Sequence, residues 1–167
     1  AGGERSLSVV VDDGDQTVSL VGQVDLSGKE SWDGVVLQKT LLLAAGKDGL
    51  LAYSLQRPES PVVASHWVSP RQLRNEVDVR HLAVAGAERI FFTAGRAGLF
   101  SGRIDGGRAF ALEGSFRFKS SARAIAVHDG LAMVSTETDV TVVDVREAPS
   151  FQNLGEIAFS EVEKIVL

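Results

Sequence analysis

The chain has 167 residues, 44% of them hydrophobic and 23% charged, which supports a packed core in one compact domain, or a piece of a larger one, and argues against wholesale disorder. Seventeen Lys and Arg against 22 Asp and Glu leave a net charge of -5, the reverse of the basic excess that marks a nucleic-acid platform. Cysteine is absent, which excludes a disulfide framework, a zinc or iron–sulfur cluster and a thiol nucleophile, and no apolar run approaches the roughly 20 residues that span a bilayer.

The first residue is Ala1, with no starting Met and no signal peptide, which reads as a processed chain or a piece of a longer one. No stretch keeps apolar residues at helical spacing for three turns, so long amphipathic helices are not expected. Short β-rich bursts separated by turn residues predict strands at 7–11, 18–24, 35–37, 41–44, 50–55, 62–68 and 81–84. They continue at 90–93, 99–104, 112–118, 124–127, 131–134, 140–145, 154–159 and 164–167. Strands this short at this spacing mean an all-β sandwich, barrel or propeller.

Internal repetition decides among these. Residues 41–51 and 90–100 match as apolar strand, Ala-Gly, cation, spacer, Gly, apolar strand, and 131–141 is a third copy with Ser135-Thr136-Glu137-Thr138-Asp139 in the turn. A small strand precedes each copy and a longer one follows it. A unit of about 40–49 residues with four strands is a propeller blade. With strands A to D running outward from the axis, the expected fold is an all-β propeller of four-stranded antiparallel blades, about three full ones plus two part-blades. Residues 1–28 supply strands C and D of a preceding blade, 29–70, 71–119 and 120–160 are blades, and 161–167 is the first strand of the next. The B–C connections are read as tight hairpins in which Gly46, Gly49, Gly95 and Gly98 take positive φ; turn geometry explains these glycines better than ligand contact.

These repeats resemble the LVIVD repeat of bacterial and archaeal β-propellers. The resemblance rests on Leu43-Ala44-Ala45-Gly46-Lys47-Asp48-Gly49-Leu50, Ala94-Gly95-Arg96-Ala97-Gly98-Leu99 and Val142-Val143-Asp144-Val145, with turns at Arg57-Pro58 and Ala148-Pro149 and D-strand glycines at Gly22 and Gly155. The second blade departs from the pattern at Arg103-Ile104-Asp105-Gly106-Gly107, where the Asp and the Pro turn are missing. The lone Trp32-Asp33 pair precedes an A strand, which excludes the WD repeat, and kelch and quinoprotein patterns are absent. The resemblance implies an exported protein: periplasmic, cell-surface or extracellular.

Propellers close with four to eight blades, so this count leaves open edges. The expectation is part of a six- to eight-bladed chain, or a ring completed by other copies, with a protein partner or the remaining blades against the open blade edges and a homo-oligomer as one form of this.

Candidate chemistry is sparse. His66, His81 and His128 fall at non-equivalent positions and predict no metal shell. Asp12-Asp13-Gly14-Asp15 has the look of a calcium loop but lacks its Asp order and distal Glu, and Asp and Gly are ordinary turn formers. Residues just before the A strands, namely Trp32 and Asp33, Asp78 and Arg80, Ser121 and Arg123, Glu161 and Glu163, are expected at the axial channel, as a small-ligand or ion site or as a solvated charge network. The polar connector 71–78 is a candidate protein contact or a solvated insertion. No residue is assigned as catalytic, cofactor-binding or metal-ligating. The reading is a non-catalytic scaffold or protein-interaction module; the alternative is a ligand- or calcium-binding hydrolase, lactonase-like, with an axial-channel site.

Overall fold

The computed structural model describes residues 6–12, 18–26, 28–73, 75–105 and 109–158. They form four antiparallel sheets. The first has two strands, β1 (Ser6–Asp12) and β2 (Val18–Asp25). The second runs β3 (Asp33–Leu37), β4 (Thr40–Ala44), β5 (Leu50–Ser54), β6 (Val62–Trp67). The third runs β7 (Val79–Ala85), β8 (Arg89–Ala94), β9 (Leu99–Asp105), β10 (Ala109–Phe116). The fourth runs β11 (Ala122–His128), β12 (Leu131–Thr136), β13 (Asp139–Asp144), β14 (Gln152–Ala158). Each four-stranded sheet is a simple meander in chain order, the blade that the repeats predict. The expected strand 164–167 and the residues Glu161 and Glu163 lie outside the described residues.

The sheets stack face to face because their central strands are apolar on both sides. In β4, Leu41 and Leu43 pack on Val24 and Leu26 of the first sheet, whereas Leu42 and Ala44 pack on Val79, Ile90 and Phe92 of the third. The period-2 alternation of a strand thus serves two interfaces at once. Next along the stack, Ile90 and Phe92 of β8 face the second sheet, while Phe91 joins Ala122, Ile125, Val134 and Val143 of the fourth. Between the second and third sheets the rings of Trp67, Phe92, Phe100 and Phe110 cluster, with centroids 5.1 Å (Trp67–Phe92), 5.4 Å (Phe92–Phe100) and 5.9 Å (Phe92–Phe110) apart. This is the sector of a β-propeller.

Two backbone features repeat with the blades. The first is a stitch between neighbours. Gly46, in the B–C turn of one blade, donates its N–H to the Val79 carbonyl (2.8 Å) and accepts from the Val79 N–H (2.9 Å) at the start of the next A strand. Gly95 repeats this by accepting from the Ala122 N–H at 2.9 Å. Both glycines have φ of +58°, as the sequence predicts, and the third turn, without glycine, folds through Thr136 and Asp139 instead.

The second feature is a bulge. In every outer strand one residue is skipped in the pairing: Val21 in β2, Ala64 in β6, Glu113 in β10 and Leu154 in β14. β2 thus carries the same bulge as the outer strands of the other sheets, and β1 pairs with β2 alone among the described residues. Boundaries shift at the second blade: β10 begins at Ala109 rather than 112, where Phe110 enters the aromatic cluster and anchors the strand.

Candidate functional site

Of the expected axial residues that are described, Trp32, Asp78 and Ser121 immediately precede the A strands, whereas Asp33, Arg80 and Arg123 lie inside them. Asp33 opens β3, Arg80 lies in β7 and Arg123 in β11, because the stitch to Gly46 or Gly95 begins each of the last two strands earlier than its apolar run. Pairing then skips a residue at Arg80 and at Arg123-Ala124. Such bulges re-aim a side chain, and here both carry an arginine at the same blade position. The corresponding residue of the first full blade is Trp32, whose N–H bonds the Ala44 carbonyl at 2.9 Å.

These residues meet on one face, the end where A strands begin and B–C turns lie. The Arg80 guanidinium sits 4.4 Å above the Trp32 ring and bonds Asp78 at 2.8 Å, a cation–π contact backed by an ion pair. The Trp32 indole N–H donates to Glu30 at 3.1 Å. Asp33 accepts the Leu82 N–H across the blade gap at 2.9 Å, and its carboxylate lies 3.9 Å from His81 Nδ1. Arg123 faces Glu137 at 3.5 Å, while its carbonyl accepts from the buried Thr93 hydroxyl at 2.8 Å. A cavity of about 390 Å³ opens between Asp78, Arg80, His81, Ser121, Arg123 and Glu137. A second, of about 380 Å³, adjoins it through Ser121 and Glu137 and reaches Glu76, Arg96, Arg117 and Lys119.

The connector 71–78 delivers to this face: after a 3-10 turn at Arg71–Leu73, Glu76 pairs with Arg117 of the next connector. The histidines do not converge. His66 bonds the Asp48 carbonyl at 2.7 Å on an outer strand, and His128 closes β11 beside Asp129 of the A–B turn at the opposite end. Among the described residues no group of three His, Cys, Asp or Glu side chains could hold a metal ion. The run Asp13 to Asp15 lies outside the described residues. Glu137, Arg96, Arg117 and Lys119 were not singled out by sequence; the available signal was that Glu137 stands where the other two turns carry a cation, Lys47 and Arg96.

Charges on the third full blade, and Lys119 just before it, are perturbed. Asp144, closing the Val-Val-Asp-Val run, accepts bonds from the side chain and backbone N–H of Arg146, which hold its carboxyl down at about 2. Partial burial pushes Asp139 upward, but hydroxyl bonds from Thr138, Thr141 and Thr136, with Lys119 nearby, outweigh it and leave the carboxyl below its ordinary value. The bond and charge of Glu156 raise Lys119.

No protein-family model matches the chain, and a search of curated proteins found no match. Among solved structures, the chain is similar to the crystal structure of a protein from Lactobacillus plantarum, with a TM-score of 0.68 at 15% identity. The likeness covers 92% of this chain and 51% of that one, so the chain spans about half the length of that protein. It shows the fold. The described residues contain no helix long and apolar enough to cross a membrane.

Proposed function

We propose that this chain is a non-catalytic propeller module for protein interaction, completed along its open blade edges by further blades, either those of a longer polypeptide or those of a second copy. One observation carries the reading: β1 and β2 form a pair where each sibling sheet has four strands, so the inner edge of β1 offers unpaired backbone groups among the described residues. A row of free N–H and C=O groups is a template for another strand. The extent of the Lactobacillus plantarum structure, about twice this chain, agrees with additional blades. The LVIVD resemblance, and with it a place in the cell envelope or outside the cell, belongs to the same proposal.

The carboxylates at the A-strand starts are engaged by their own cations or by backbone N–H groups, which favours an interaction face over a catalytic centre. The test is native particle mass together with hydrogen exchange. A particle larger than one 17.8 kDa chain, with slow exchange in β1, is expected. A monomer with fast exchange along β1 overturns the open-edge reading, and calcium bound at the A-strand starts replaces it with the enzyme reading.

A further inference from the structure

On the face that gathers the A-strand starts, the cleft between the second and third full blades carries a positive charge that the rest of this chain, at -5 overall, does not prepare one to find. Four of its five cations have a carboxylate partner: Arg80 with Asp78, Arg123 with Glu137, Arg117 with Glu76 and Lys119 with Glu156. The fifth, Arg96, is exposed at the tip of its B–C turn, reaches into the second cavity and has no carboxylate within ion-pair distance among the described residues. The cleft therefore holds one guanidinium in excess.

Its surroundings are suited to more than a bare anion. Phe118 lies between Arg117 and Lys119 in the wall, its ring edge-on to Phe116 at 5.1 Å, and gives the cavity an apolar side. Ser120 and Ser121 add hydroxyls, and the two adjoining cavities form an open trough rather than a closed socket. Existing pairs can exchange, since Arg117 and Lys119 are more than half exposed and exposed ion pairs are weak.

We infer that this cleft is a docking site for an acidic peptide segment of a protein partner, with Arg96 receiving a carboxylate, Arg117 and Lys119 exchanging their intramolecular partners for others, and Phe118 receiving an apolar side chain. The inference rests on the protein-interaction reading above, but the open edge of β1 is a separate surface and is tested separately. An arginine fork suits carboxylate, and steering by the local field speeds encounter while salt weakens it.

The test uses the whole chain, isotope-labelled, titrated with an acetylated and amidated peptide holding four Glu around one Leu. Its Gln counterpart and inorganic phosphate are the controls. Amide shifts are expected at Gly95, Arg96, Ala97 and across 117–121, with binding that weakens as salt rises. Arg96→Glu should weaken it about five- to tenfold. Lys47→Glu makes the same charge change at the same turn position of the preceding blade and should leave binding unchanged. Equal loss in both variants, no shifts in the cleft, or phosphate matching the peptide each overturn the inference. None of these touches the particle-mass and hydrogen-exchange results, which decide the open-edge reading.

Discussion

Phe92→Ala probes whether the blades are held by the layers between them. The Phe92 ring is fully buried, at 0% exposure, and touches the rings of Trp67, Phe100 and Phe110. Removing a buried phenyl ring costs about 3–5 kcal/mol, the transfer of the ring plus the cavity left behind. The upper end applies here because about 0.5–1.5 kcal/mol attaches to each good aromatic pair and the cluster spans two sheets. The neighbouring Phe91 is equally buried but faces the fourth sheet, where it enters none of the ring pairs found among the described residues. Its truncation belongs nearer the lower end, about 3 kcal/mol. With a urea slope of about 2 kcal/mol/M, Phe92→Ala lowers the midpoint by about 2.5 M and Phe91→Ala by about 1.5 M. Equilibrium urea unfolding by circular dichroism reads both. A loss under about 1.5 kcal/mol for Phe92→Ala, or a larger loss at Phe91, refutes the claim that the aromatic layer anchors the stack.

Three further outcomes follow from local geometry. Gly98 has φ of +103° and a Cβ there would overlap the Phe116 carbonyl oxygen, whereas a Cβ at Gly46 meets the movable Glu30 carboxylate, so thermal unfolding should place Gly98→Ala below Gly46→Ala, by more than the ~1–2 kcal/mol that left-handed backbone alone costs. Thr136→Val removes a buried hydroxyl that accepts from the N–H groups of Thr138 (3.2 Å) and Asp139 (3.1 Å); denaturant titration should show a loss of about 1–3 kcal/mol, and an unchanged midpoint would sink the account of this turn. The Asp144 carboxyl is held at about 2 in the folded chain against 3.8 ordinarily, so its contribution is present above about pH 4 and lost as pH falls through 2. The melting-temperature gap between the parent chain and Asp144→Asn should therefore close between pH 4 and pH 2; a gap constant over that range refutes it.

What the sequence made legible was the part written in apolar periodicity and turn chemistry. Leu41 to Ala44 and Ile90 to Thr93 read as strands because burial on two faces demands unbroken apolar runs, and the Ala-Gly turns read as hairpins because their glycines carry positive φ. The bulges left a fainter mark. Val21, Glu113 and Leu154 share no side-chain type but are each followed by a glycine, whereas Ala64 is followed by Ser65, so register is needed to reveal the fourth. The upper face was half legible. Position in the repeat placed Trp32, Asp78 and Arg123 near one another, but the pairing of Arg117 with Glu76 joins two connectors that no repeat aligns. Arg96 looked like an ordinary turn residue, because charge balance across a cleft is a property of assembled blades.

The outer bulges also bear on what this molecule avoids. Its rim exposes Val62 and Val63 on β6 and Leu154 and Ile157 on β14, β-prone side chains on strands with one unpaired edge. Left straight, such strands would invite fibril growth by the lateral addition of copies. A skipped residue at Ala64 and at Leu154 breaks each strand into two short lengths that no flat ladder can follow. No skipped residue interrupts the β1 side of its pairing, since the extra residue there belongs to β2. Resistance to self-association is thus distributed around the circumference, while the β1 edge is left without such an interruption.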